Sequence, residues 1–129
     1  MENRIRTIIT GTGSYIPENI VTNEDFMDNR FLQGNGEPFD KSNRDIIDKF
    51  QQITGITERR YADNDMMASD MGAIAARRAL DSSGVDPEEL DYIIVAHNFG
   101  DVRHDNHRSD MVPALASRVK NSLGIRNPK

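Results

Sequence analysis

The sequence contains no cysteine and no tryptophan. The first absence removes disulfides, thiolate metal sites and any cysteine nucleophile from these residues. The second, with only three Tyr and five Phe, leaves a core to be built from Ile, Leu, Val, Met and Ala, which favours close packing of helices and sheets over aromatic stacking. No apolar run approaches the roughly 18 residues of a membrane span. No charged-then-apolar leader ends in small residues, so the chain reads as cytoplasmic, without a membrane partner. Blocks of like charge are also missing: the net charge of -5 comes from interleaved acids and bases, which argues against a nucleic-acid partner.

What is present fits one small domain or a fragment of a larger one, with 129 residues, 36% hydrophobic and 29% charged. Residues 4–10 (RIRTIIT) are rich in β-branched side chains and run into Gly11-Thr12-Gly13, the pattern of a buried strand ending in a glycine turn. Asn23 before Glu24 and Asp25 has N-cap chemistry for a short helix over 24–29. Residues 33–43 (QGNGEPFDKSN) are polar, glycine-rich and without period, which predicts an exposed loop insertion and the place where disorder would concentrate. Helical spacing returns over 45–52 and stops at Gly55.

The strongest helical pattern runs from Ser69, as N-cap, to Ser82, with Gly84 as its stop. Met71, Gly72, Ala75, Ala76, Ala79 and Leu80 share one broad face, and side chains this small let another backbone come close. Asp86-Pro87-Glu88-Glu89 predicts a single helical turn. Residues 92–96 (YIIVA) form a continuous apolar run, the pattern of a central parallel strand covered on both faces. After a polar loop over 97–110, Val112, Leu115, Ala116, Val119 and Leu123 keep helical spacing up to Gly124. Strand, helix, helix, strand, helix is the order of an α/β fold.

Several motifs fall short of a site. Gly11-Thr12-Gly13 stands where a dinucleotide fingerprint would begin, but the third glycine is Ile16 and Pro17 follows, so a structural turn is predicted. Asp63-Asn64-Asp65 resembles the start of a calcium loop, yet Ala68 and Ile74 occupy the positions of its Gly and Glu. His97, Asp101, His104, Asp105 and His107 crowd one loop. Ligands to a metal need rigid support, so a solvated loop is expected there and no metal is assigned. That loop leaves the carboxyl end of the 92–96 run, where open α/β sheets place ligands, which makes Asn98 a candidate binding residue.

Taken together, the stretches IITGTGSYIPE (8–18), VTNED (21–25) and TGITERRYA (54–62) closely resemble the N-terminus of β-ketoacyl-acyl-carrier-protein synthase III, and the Ala-rich helix over 73–80, DYIIVA (91–96) and SLGI (122–125) follow in that family's order. The resemblance covers the chain apart from 33–43. It implies a thiolase-like α/β fold, with this chain as the N-terminal half, a mixed sheet with packed helices, over 1–129. It also implies a homodimer, acyl-CoA and acyl-carrier protein as partners, and no cofactor beyond the coenzyme A thioester that is the substrate. The implied reaction is a decarboxylative Claisen condensation of fatty acid biosynthesis, run through a cysteine thiolate with His and Asn donors. In the family these three lie beyond the point that Lys129 matches. No catalytic residue is therefore assigned within these residues, and they are expected to be inactive alone.

Around the Thr-Gly-Ile turn, the resemblance makes Thr54, Ile53 and Lys49 the coenzyme A-binding positions. Thr54 keeps the family residue. Lys49 stands where the family has a Trp that stacks on adenine, and Ile53 where it has an Arg. Loss of a stacking ring and a guanidinium points to an alternative acyl donor or a secondary-metabolite pathway. A different alternative is a non-catalytic short module for dimerisation or carrier-protein binding.

Overall fold

Each α-helix among the described residues ends on a glycine in the left-handed conformation, Gly55 at φ 68°, Gly84 at 67° and Gly124 at 76°. The computed structural model describes residues 6–110 and 112–128. They form two units, one of residues 17–62 and one of the flanking segments up to Ile16 and from Asp63 onward.

In the 17–62 unit, β1 (Asn19–Thr22) pairs antiparallel with β2 (Glu58–Tyr61), in a register that places Val21 opposite Arg59. A 3-10 turn, Glu24–Phe26, follows β1. Asn23 does not cap it with its side chain, as the sequence predicted; the carboxylate of Asp25 reaches back instead to the Thr22 backbone N–H at 2.6 Å and its hydroxyl at 2.8 Å. Helix α1 (Asn43–Thr54) is longer than the predicted span and is capped by Ser42, whose Oγ accepts from the Asp45 N–H. Its buried face is Ile46 and Ile47. The polar stretch 33–43 is a defined turn, with a bridge between Leu32 and Pro38 and Gly36 at φ 84°.

In the other unit, α2 (Ala68–Ser83) and α3 (Leu115–Leu123) pack on each other, Val119 and Leu123 joining Ile125 in a core that Ala76, Leu80, Leu90, Ile93 and Val95 surround. The small-residue face of α2 does admit close neighbours: a Cβ at Gly72 would stand 3.4 Å from Val119 Cγ2. A Cβ at Gly11 would stand 2.5 Å from the Ala79 carbonyl, and one at Gly13 would collide with the backbone of Ala75 and Ala79. The glycine turn is thus pressed on α2, and only residues without a side chain fit there. Helix α2 begins one residue before Ser69, and the Asp70 carboxylate accepts the Met67 N–H at 2.9 Å. The predicted single turn is the 3-10 helix Pro87–Glu89, capped by Asp86.

Two expectations are corrected. Residues 6–10 and 92–96 are not paired strands; no ladder partner lies among the described residues, and Arg4 and Ile5 fall outside them. Nor is 92–96 covered on both faces. Ile93 and Val95 pack on the core, whereas Tyr92 is 86% and Ile94 89% exposed, a period-two alternation with one bare face. Ile8 and Ile9 are likewise open, at 77% and 85%. The third helix starts at Leu115, leaving Val112 outside it and exposed.

Candidate functional site

The Thr-Gly-Ile turn is built by the end of α1. Thr54 Oγ1 donates to the Phe50 carbonyl at 2.7 Å and accepts the Ile56 N–H at 3.2 Å, so its hydroxyl ties the last helical turn to the residue beyond Gly55. Lys49 and Ile53 stand one turn apart on α1, both exposed. The helix thus brings Lys49, Ile53 and Thr54 together at one end. Asn98, the fourth candidate, belongs to the other unit, in the exposed loop after residues 92–96.

Behind the turn, Asn23 links three elements. Its Nδ2 donates to Gln51 Oε1 at 3.1 Å and to the Ile56 carbonyl at 3.0 Å, while its Oδ1 accepts from Arg59 Nη1 at 2.8 Å. Arg59 also lies 5.1 Å over the Phe26 ring, a cation–π contact. These two residues frame a groove of about 210 Å³ with Phe31, Ile47, Phe50 and Tyr61. Arg60 pairs with Glu58 at 3.6 Å at the surface. Of the two arginines after the turn, Arg59 is therefore engaged inside its unit and Arg60 faces solvent.

The 97–110 loop is more ordered than its composition predicted. It holds a short antiparallel pair, β3 (Asp101–Val102) with β4 (Ser109–Asp110). His97 Nδ1 accepts the Gly100 N–H at 2.9 Å, and Gly100 takes φ 74°, where a Cβ would stand 3.0 Å from the Asp110 carbonyl oxygen. Among the described residues, no group of three His, Cys, Asp or Glu is placed to hold a metal. His104 is exposed and Asp105 is held by Arg103 at 3.0 Å, whereas Asp101 points inward.

Asp101 is the residue that sequence reasoning missed as a centre of its own. It has 0% exposure and accepts from Ser69 N at 2.8 Å, Ser69 Oγ at 2.7 Å and Arg118 Nη1 at 3.2 Å. Arg118 extends the network to Asp110 at 2.9 Å and to the carbonyls of Pro113, at 2.9 Å, and Val112, at 3.1 Å. A buried carboxylate needs such donors, because burial without them costs several kcal/mol, on the order of 2–7 for even a neutral polar group. The only sequence signal was an Asp beside a glycine after an apolar run, which also describes a solvated turn.

No known family model matches this chain. Among solved structures it is similar to the priming β-ketosynthase from the R1128 polyketide biosynthetic pathway, at 28% identity and a TM-score of 0.57, over 92% of this chain and 29% of that one. The 3-oxoacyl-[acyl-carrier-protein] synthase III from Aquifex aeolicus VF5 is 36% identical over 64% of this chain and 22% of its own length, with a TM-score of 0.45. The chain therefore spans less than a third of the enzymes it matches. Its fold is thiolase-like, and the chain is β-ketoacyl-acyl-carrier-protein synthase III-like, similar to the N-terminal portion of that family.

Proposed function

We propose that this chain supplies the N-terminal part of a condensing acyltransferase of the synthase III type. The observation that carries the reading is that Ile8 and Ile9, and Tyr92 and Ile94, are left open in a chain that spans 29% of the ketosynthase it resembles. Backbone and side chains of this kind are stable when further strands and layers cover them. In the proposed enzyme, a cysteine thiolate from outside these residues attacks the acyl-CoA carbonyl, and coenzyme A leaves as its thiol. Malonyl-acyl-carrier protein then loses CO₂, the resulting carbanion attacks the acyl-cysteine, and the thiolate departs. Acyl-CoA and acyl-carrier protein are its partners, a homodimer its assembly, the cytoplasm its compartment and fatty acid biosynthesis its pathway.

A second reading, a condensing enzyme of a secondary-metabolite pathway with another acyl donor, is favoured by Lys49 and Ile53. Neither side chain provides the ring or the planar guanidinium that would grip an adenine nucleotide. One experiment addresses both. The complete product of the reading frame is incubated with malonyl-acyl-carrier protein and a panel of acyl-CoA and acyl-carrier-protein donors, and labelled CO₂ and β-ketoacyl product are counted. Turnover with acetyl-CoA supports the first reading, and turnover restricted to another donor supports the second. No CO₂ release with any donor contradicts the enzyme class.

A further inference from the structure

The segment from Asp101 to Asp110 is held at both ends by one side chain. Asp101 and Asp110 are partners across β3 and β4, and the Arg118 guanidinium reaches both carboxylates, at 3.2 and 2.9 Å, while Asp101 is also fixed to the start of α2 through Ser69. Arg118 lies on α3, so three elements meet at a carboxylate that water does not reach. A buried ion pair adds little net stability over apolar packing, and its best-attested use is to impose one arrangement. The guanidinium suits that use, since its planar fork fixes direction as well as charge.

What the arrangement presents is the edge at 97–99. His97, Asn98 and Phe99 are exposed, immediately before the anchored Gly100 and Asp101. His97 takes the Gly100 N–H at Nδ1, which leaves Nε2 open, so this edge offers an imidazole nitrogen and a carboxamide beside an apolar ring. Those groups match an acyl thioester arm, which has amide and thioester carbonyls along an alkyl chain.

Building on the condensing reading above, we propose that Asp101 and Arg118 are positioning residues, which hold the 97–99 edge where it binds the thioester arm of the acyl donor. The test uses the complete protein and compares wild type with Asp101→Asn, Arg118→Lys and Ser69→Ala. Asp101→Asn keeps the shape but loses one acceptor, and Arg118→Lys keeps the charge but loses the fork. With active enzyme counted by acyl-cysteine titration, the donor KM rises about tenfold in the first two variants while kcat stays within about twofold, because a displaced binding edge weakens capture more than chemistry. Ser69→Ala, which keeps the backbone bond to Asp101, shifts KM in the same direction by less. A lowered Tm with unchanged KM would overturn the positioning role. Should the charge variants fail to fold, hydrogen exchange on wild type decides: an acyl-CoA thioether slows exchange at 97–100, and unchanged exchange there refutes the proposal. A wild type that forms no acyl-enzyme overturns the condensing reading itself, whereas an active wild type with variants altered only in Tm overturns the positioning role alone.

Discussion

Asp25 accepts two hydrogen bonds from Thr22, and the backbone N–H, then the hydroxyl, hold its carboxyl below the ordinary value of 3.8. A depressed folded-state pKa means that the stability these bonds contribute is fully present above the ordinary value and is lost as pH falls through the folded one. Thr22→Val keeps the N–H but removes the hydroxyl, so the Asp25 pKa, followed by carboxyl NMR titration, moves part of the way up. An unshifted value would mean that the hydroxyl bond does not form. Glycines separate two other effects. At Gly13 the obstacle is steric, because any Cβ meets the α2 backbone, and Gly13→Ala is expected to lower stability in urea unfolding by about 1–3 kcal/mol. At Gly55 nothing lies within 4 Å and only φ 68° penalises a side chain. There Gly55→Ala costs about 1–2 kcal/mol, and Asn, which tolerates the left-handed region, costs less. Equal losses for Ala and Asn at Gly55 would contradict this.

Helices were legible at the level of elements because their signals are local. Asp86 as a cap, glycines as stops and the small face of α2 each act within a few residues, whereas Ser42 as the cap of α1, and Met67 in place of Ser69 at the start of α2, were not read from the sequence. Strands were not legible in the same way. Residues 92–96 carry strand composition, yet a strand is completed by partners, and none lies among the described residues. Apolar composition on both faces does not reveal which neighbour covers Tyr92 and Ile94. The candidate site divided similarly. Thr54, Ile53 and Lys49 were grouped through the family resemblance and share one helix end, whereas the Ser69, Asp101 and Arg118 cluster joins residues distant in sequence and became visible only in three dimensions. At this scale Asp101→Ala is expected to destabilise the unit by about 3–5 kcal/mol, read from the urea midpoint, because it leaves the Arg118 charge without a buried partner.

Over the whole molecule, the exposed Ile8, Ile9, Tyr92 and Ile94 predict that the 129 residues alone self-associate, since contiguous exposed apolar side chains favour association with other chains. Sedimentation velocity over a concentration series checks this, and a concentration-independent monomer would contradict it. The same open faces underlie the proposed function, in which these residues supply scaffold and binding positions but no nucleophile. The most direct test incubates labelled acetyl-CoA, or the donor that proves active, with the 129-residue chain and with the complete product of the reading frame. A hydroxylamine-labile acyl label is expected on the complete protein and none on the 129 residues. A labile acyl-enzyme on the 129-residue chain, or none on the complete protein with any donor, would contradict the account.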